Sequence, residues 1–178
     1  LRKFHNRNWE KTNMVISLMC ANEWLSKFQC IVSYSDIFYS KQAISILKNN
    51  NHTLSLTYDP NWLEIWTKRF NRPLDDAESF QIDLKTKDIL EIGQKEKKIS
   101  KIMGQYMGLV KFTPKAWHES NEIFKNLNDD ELNKMFLTDL LQKIINNDIV
   151  KIKGEKYIYK WGEFDSENDL KVFNKLIK

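Results

Sequence analysis

The sequence predicts an α/β fold with a mixed, mostly parallel sheet flanked by helices, in a single domain over residues 1–178. Three observations predict it. Short apolar segments of strand character alternate with stretches of helical periodicity, the order that α/β folds require. A helical pattern at Lys41 to Lys48 lies between strand patterns at Cys30 to Tyr34 and Thr53 to Tyr58, a crossover that joins parallel strands. At 178 residues and 42% hydrophobic, the chain is long enough to close one sizeable core.

Each element has its own signal. From Thr12, a plausible N-cap, to about Phe28, apolar residues Val15, Leu18, Met19, Leu25 and Phe28 recur near helical spacing. In the crossover helix Ile44 and Leu47 point inward, and Thr53 to Tyr58 alternates as a strand does. Asp59-Pro60-Asn61 breaks the pattern before a short helix around Trp62 to Trp66. Phe80 to Leu84 and Asp88 to Ile92 then read as a hairpin around Lys85-Thr86-Lys87. Gln105 to Phe112 is a strand, followed by helices over Pro114 to Lys125 and Asp130 to Asn146. The second of these carries Leu132, Met135, Phe136, Leu140, Ile144 and Ile145 on one broad apolar face. Ile149 to Ile152 and Lys156 to Lys160 are short strands. Ser166 to Ile177 closes the chain as a helix, with Ser166 and Asp169 spaced as a capping box and Leu170, Phe173, Leu176 and Ile177 inward.

Composition narrows the function. With 28 basic and 24 acidic residues the net charge is only +4, and the lysines are dispersed. Even the densest run, Lys95 to Lys101, includes Glu96, so a nucleic-acid partner is not expected. No stretch approaches the roughly 20 apolar residues of a membrane span, and the start lacks a signal-peptide core. Cys20 and Cys30 have no metal-ligand spacing and read as buried free thiols, which fits a cytoplasmic setting. His5, His52 and His118 are scattered, so no zinc site is expected. The chain opens at Leu1 without an initiator Met, which suggests that it begins inside a longer protein.

Chemistry points first to Asp36, in Ser33-Tyr34-Ser35-Asp36 directly after the apolar strand, where a carboxylate can meet a ligand at the carboxyl edge of a sheet. Most such carboxylates are solvated or cap a helix, so the neighbours matter. They are Thr12-Asn13-Met14-Val15-Ile16-Ser17-Leu18 and, far along the chain, Trp161-Gly162-Glu163-Phe164-Asp165. Together the three segments resemble the nucleotidyltransferases that join an NTP to a sugar phosphate or to phosphocholine, the nucleotide-diphospho-sugar transferase fold. The best match is the phosphocholine cytidylyltransferase-like branch. That family opens with a glycine-rich nucleotide-binding loop. This chain has only 5 Gly and no counterpart of it, so it resembles the later two-thirds of the fold.

The resemblance implies a magnesium-dependent reaction in which CTP or another NTP is joined to a phosphorylated acceptor and pyrophosphate leaves. It places Asp36 and Asp165 at the metal as catalytic residues, with Glu163 the alternative or additional ligand, and Lys95 against the acceptor phosphate. Asn13 and Ser17 match the family's Thr-Asn-Asn…Ser pattern, although Met14 stands where the second Asn would be. Gln105 or Tyr106, in Gly104-Gln105-Tyr106-Met107-Gly108-Leu109, would line the acceptor pocket, and the two glycines would let a ligand approach closely. Asp139, in Leu137-Thr138-Asp139, would lie near the acceptor. Trp62, Trp66 and Phe70 could form an aromatic box for a quaternary ammonium, though core packing is the commoner use of such residues. The rival reading is a non-catalytic remnant of the fold or an interaction module. It predicts self-association through sheet surface that the missing segment would cover.

Overall fold

The computed structural model describes residues 1–176, so the inward position expected of Ile177 and of the Leu176 side chain lies outside the described residues. Near the start the expected single helix is two: α1 (Met14–Met19) and α2 (Asn22–Leu25). The cap is Asn13 rather than Thr12, its side chain accepting from Met14 N at 2.7 Å. The break at Cys20 and Ala21 re-aims α2, so that Leu25 is buried and Asn22 Oδ1 accepts the Trp117 indole N–H at 2.7 Å. Strand β1 (Cys30–Ser33) leads through the Asp36 turn into β2 (Ile37–Tyr39), which the sequence did not announce. Helix α3 (Lys41–Asn49) buries Ala43 and Leu47, and β3 (Leu54–Asp59) is buried throughout. Alternation of this kind commonly leaves one face solvated. Ser55 is instead inside, its hydroxyl bonded to the Asn50 side chain.

Helix α4 (Trp62–Arg69) precedes a ribbon of β4 (Glu78–Ile82) and β5 (Ile89–Lys95). Then come β6 (Gln105–Phe112), helix α5 (Pro114–Phe124), α6 (Asp129–Lys134) and α7 (Leu137–Asn146). The long helix expected over Asp130 to Asn146 is thus divided, because each half has its own N-terminal cap. Asn128 and Glu131 form a capping box for α6, and the Asp139 carboxylate takes the Phe136 N–H at 2.9 Å to start α7. Phe136 is left 53% exposed at the joint, while Met135, Leu140 and Ile144 are buried as expected. The expected strands at Ile149 to Ile152 and Lys156 to Lys160 are also redrawn, as β7 (Ile152–Lys156) and β8 (Trp161–Glu163). Asp148, at φ 49°, turns the chain back so that Ile149 N bonds Ile144 O, and Ile149 and Val150 pack on the core as a helix-closing turn. The last helix, α8 (Glu167–Leu176), buries Phe173 but leaves Leu170 exposed, because Asp169 takes the inward position beside it.

The central sheet has the order β1-β6-β3-β7. Strands β1 and β3 both oppose β6, and β3 runs with β7, so three strands point one way. The fold is mixed as expected. However, β6 is inserted between the two strands of the crossover, so only β3 and β7 form a parallel ladder. An eight-residue strand buried almost end to end belongs in that central position. Leu54, Leu56, Leu109, Val110 and Phe112 from the sheet, with Leu47, Trp117, Leu140 and Ile144 from helices, are fully or almost fully buried. Each such side chain is worth about 1.5–3 kcal/mol of transfer free energy. Strands β1, β3 and β7 present their carboxyl ends at one edge, where β6 begins, and there the ribbon of β2 and β8 closes over the sheet. Among the described residues, no helix is long and apolar enough to cross a membrane.

Candidate active site

The β2–β8 ribbon is what brings distant acidic residues together. Ile37 pairs with Glu163, and Phe164 N donates to Asp36 O at 2.9 Å, so Asp36 and the Glu163–Asp165 segment lie side by side. Behind them stands Arg69, the last residue of α4. Its guanidinium donates to Asp169 Oδ1 at 2.7 Å, to Asp165 Oδ2 at 2.7 Å and to Glu163 Oε2 at 3.3 Å. Asp169 completes the expected capping box of α8, accepting from Ser166 N at 2.9 Å while its own N–H donates to Ser166 Oγ. The arginine was not legible as a site residue. A basic residue in a helix's last turn is explained by the helix dipole alone, and its partners lie about a hundred residues away.

Charge is in excess here. Burial pushes the Glu163 carboxyl up to about 7, with Asp165 and Asp36 adding to the shift and Arg69 opposing it. Asp165 is raised too, by burial and by Asp169 and Asp36, against the pull of Arg69. Among the described residues no three His, Cys, Asp or Glu side chains converge tightly enough to cage a metal ion by themselves.

A cleft of about 190 Å³ opens beside these carboxylates, walled by Tyr34, Trp66, Glu78, Gln105 and Tyr106 as well as Glu163 and Asp165. Gln105 is buried and its amide is spent on backbone, with Nε2 donating to Glu78 O at 2.6 Å and Oε1 accepting from Glu78 N at 3.3 Å. The Tyr106 hydroxyl is buried and has no hydrogen-bond partner among the described residues. Its ring meets Tyr34 edge to face at 5.8 Å. Burial, together with Glu78, Glu163, Asp36 and Asp139, drives the Tyr34 phenol far above its ordinary range. Burial also raises Glu78, with Asp139 and Asp76 adding to it and Lys95 and Thr138 opposing.

The other sequence candidates are dispersed around this cleft. The Asn13 side chain is occupied as a cap and by donation to Lys134 O at 3.2 Å. Ser17 shares with Asp36 a neighbouring hollow of about 340 Å³ that meets the cleft at Tyr34 and Met14. Asp139 caps α7 and faces a hollow on the other side of that helix's start. Lys95 is exposed opposite Glu78 in the β4–β5 register, so a carboxylate is its cross-strand neighbour. Gly104 and Gly108 leave no open space for a ligand. A Cβ on Gly104 would lie 2.5 Å from the Tyr58 ring, and one on Gly108, at φ +75°, 2.7 Å from the Tyr34 ring. The glycines serve a register shift between β3 and β6 and the packing of two tyrosines. Trp62 and Trp66 do share a helical face, but both are buried, and Arg69 already sits 5.3 Å from the Trp66 ring centroid. Cys20 and Cys30 are free thiols, partly rather than fully buried.

The chain is 34% identical to the CTP:phosphoglutamine cytidylyltransferase of Campylobacter jejuni over 184 aligned positions, covering 95% of this chain and 70% of that protein. It belongs to the sugar-phosphate nucleotidyltransferase family. No protein-family model matches the chain. Solved nucleotidyltransferases share its fold at low identity. The inositol-1-phosphate CTP transferase of T. maritima superposes with a TM-score of 0.69 at 15% identity, over 97% of this chain and 65% of that one. A structure from Bacillus anthracis assigned as a glucose-1-phosphate thymidylyltransferase gives 0.66 at 15% identity, over 93% and 61%. The chain thus spans a little under two thirds of the length of these structural neighbours.

Proposed function

We propose that this chain forms the acceptor side of a cytidylyltransferase that joins CTP to a small phosphorylated acceptor. An acceptor phosphate oxygen attacks the α-phosphorus of the nucleotide, a P–O bond forms, and the bond to the β-phosphate breaks as pyrophosphate leaves with its electron pair. The observation that supports this reading is the main-chain pairing of the β2–β8 ribbon, which sets Asp36 beside the Glu163–Asp165 segment. It occurs in a chain one third identical to an enzyme named for CTP and a phosphorylated amino acid.

Carboxylate oxygens suit magnesium, which takes one or two protein carboxylates together with substrate phosphate oxygens. Asp36 with Asp165 or Glu163 would hold it; burial raises Glu163 first, and the added push from Asp165 and Asp36 fits a place where a cation is wanted. When bound, the ion would supply the charge neutralisation that lets an anionic nucleophile approach an anionic phosphoryl group. Arg69 holds Glu163 and Asp165 in place, and Gln105 fixes the β4 wall of the cleft through Glu78.

Pyrophosphate release by the full-length protein tests the reaction, with CTP, UTP, ATP and dTTP each offered phosphoglutamine, phosphocholine and glucose 1-phosphate. The expected result is release with CTP that depends on both acceptor and magnesium. Release independent of any acceptor would sink the reading. We also infer that the chain self-associates along the outer edge of β1, where Phe4, Trp24 and Phe28 rim an apolar groove of about 700 Å³. Light scattering on a sizing column checks that, and a clean monomer at high concentration would refute it.

A further inference from the structure

The ribbon that carries the acidic residues is short for the precision it must supply. Strands β2 and β8 share three pairs, Ile37 with Glu163, Phe38 with Gly162 and Tyr39 with Trp161. A two-stranded ribbon is marginal by itself, and a slip in its register would carry Asp36 away from the Glu163–Asp165 segment. At the end beside the cleft, the Phe164 N–H donates to Asp36 O. Hydrogen-bonded pairs recur at every second residue of an antiparallel ladder, so Ser40 and Lys160 occupy an equivalent position at the far end. There the link runs through a side chain, the Tyr157 hydroxyl.

Tyr157 is fully buried just beyond β7, and its own N–H donates to Tyr58 O at 2.9 Å, which ties its backbone to the central sheet. Its hydroxyl accepts the Ser40 N–H at 3.0 Å, lies 2.7 Å from Ser40 Oγ and donates to Lys160 O at 3.1 Å. A phenol has one proton to give. Lys160 O takes it, so Ser40 Oγ is the donor in the 2.7 Å bond. Ser40 is the N-cap of α3, yet its side chain makes no capping bond to the helix. A serine in that place ordinarily accepts from the first turn; here its hydroxyl is turned to the phenol instead. The Trp161 indole N–H, donating to Asp59 Oδ2 at 2.9 Å, holds β8 to the end of β3. Tyr157 holds β2 and β8 to each other.

We propose that Tyr157 is a positioning residue of the candidate active site: its hydroxyl fixes the β2–β8 register and so sets Asp36 beside the Glu163–Asp165 segment. The catalytic consequence rests on the reading of the chain as a nucleotidyltransferase; the fixing of the register does not. Tyr157 is not part of the cleft lining and acts on it through the ribbon. Strand β7, paired along its length with β3, supplies the rigid reference from which the phenol reaches both strands.

Tyr157→Phe keeps the ring and removes only the hydroxyl. Hydrogen exchange is followed on the full-length protein without nucleotide, acceptor or metal. The Phe164 amide is expected to exchange about tenfold faster in the variant, as loss of a buried hydrogen-bond partner implies. That increase is expected to exceed the one at the β3 and β6 amides, which report overall stability. In pyrophosphate release from CTP and phosphoglutamine, the half-saturating magnesium concentration is expected to rise about tenfold. A merely structural role would lower the amount of active enzyme and leave that concentration where it was. Ser40→Ala is expected to loosen the Phe164 amide less, with the α3 amides still protected because that side chain does not cap the helix. Ser40→Thr, which keeps a hydroxyl, is expected to restore the parent rate. Where Tyr157→Phe does not fold, Ser40→Ala carries the same comparison. An unchanged Phe164 amide, an increase no larger than in β3 and β6, or an unchanged magnesium requirement in an active variant overturns the proposal. Failure of the nucleotidyltransferase reading looks different: the Phe164 amide is loosened in Tyr157→Phe while the parent itself releases no pyrophosphate.

Discussion

Arg69 has a side chain only 1% exposed and faces three carboxylates from the far end of the chain. Replacing it by Leu leaves Glu163, Asp165 and Asp169 confronting one another without their cation. Uncompensated buried charge of this kind costs about 3–5 kcal/mol, so urea denaturation is expected to find Arg69→Leu destabilised by that order, with Arg69→Lys in between. Glu163 gives a second test at this scale. Its folded carboxyl is raised from the ordinary 4.5 to about 7 by burial first and neighbouring charge second, so the folded state holds that proton more tightly than the unfolded chain does. Its contribution to stability is therefore fully present below about 4.5 and is lost as pH rises through about 7. In EDTA, the melting temperature of the parent relative to Glu163→Gln is expected to fall across that window. A constant difference would contradict the burial argument. The position of Asp36, in the turn after β1, was legible because an aspartate after an apolar strand is a local pattern. Glu78, Asp76 and Tyr34 were not, since only the folded cleft shows what they face.

Among the elements, those with a strong local signal were readable. Strand β6 was expected over the residues it occupies, α5 begins at its Pro114 after the Thr113 cap, and the Ser166–Asp169 box opens α8. What could not be read were the breaks and the short ribbon. A three-residue strand such as β2 has no period to detect, and it exists only because Trp161–Glu163 arrives to pair with it. The helix joint at Met135–Phe136 was hidden because apolar spacing continues across it, while the Asp139 cap that makes the joint was read as a substrate residue. Gly104, just before β6, and Gly108 within it were likewise read for ligand access, when their space is filled by tyrosine rings. A prediction belongs here. Gly108→Ala forces an L residue into the left-handed region, costing about 1–2 kcal/mol, and drives a methyl into the Tyr34 ring. Thermal unfolding is expected to show a loss of at least that size. Because Tyr34 walls the cleft, the rate of pyrophosphate release is expected to fall with it, whereas Gly93→Ala, beside Thr138, shifts stability with less effect on Tyr34.

At the scale of the whole molecule, the topology explains why chemistry collects where it does. Three co-directional strands end at one edge of the sheet, and the antiparallel β6 starts there, so Tyr34, Asp59, Gln105 and Tyr106 are delivered to one place from remote parts of the sequence. The β2–β8 ribbon then folds the acidic tail segment back over that edge, which no local pattern in residues 160–166 could have announced. The same carboxyl-edge placement is general to open α/β sheets. The superposition on two nucleotidyltransferases at 15% identity shows that the fold itself is shared.

The most direct test is the rate of magnesium-dependent pyrophosphate release from CTP and phosphoglutamine by the full-length protein and its Asp36→Ala variant, each at saturating substrate. Removing one preorganised charge from such a site costs on the order of 10²–10³ in kcat, and a loss of that size with an unchanged melting temperature is what convergence of Asp36 with Glu163 and Asp165 predicts. An Asp36→Ala enzyme that turns over at the parent rate would contradict it.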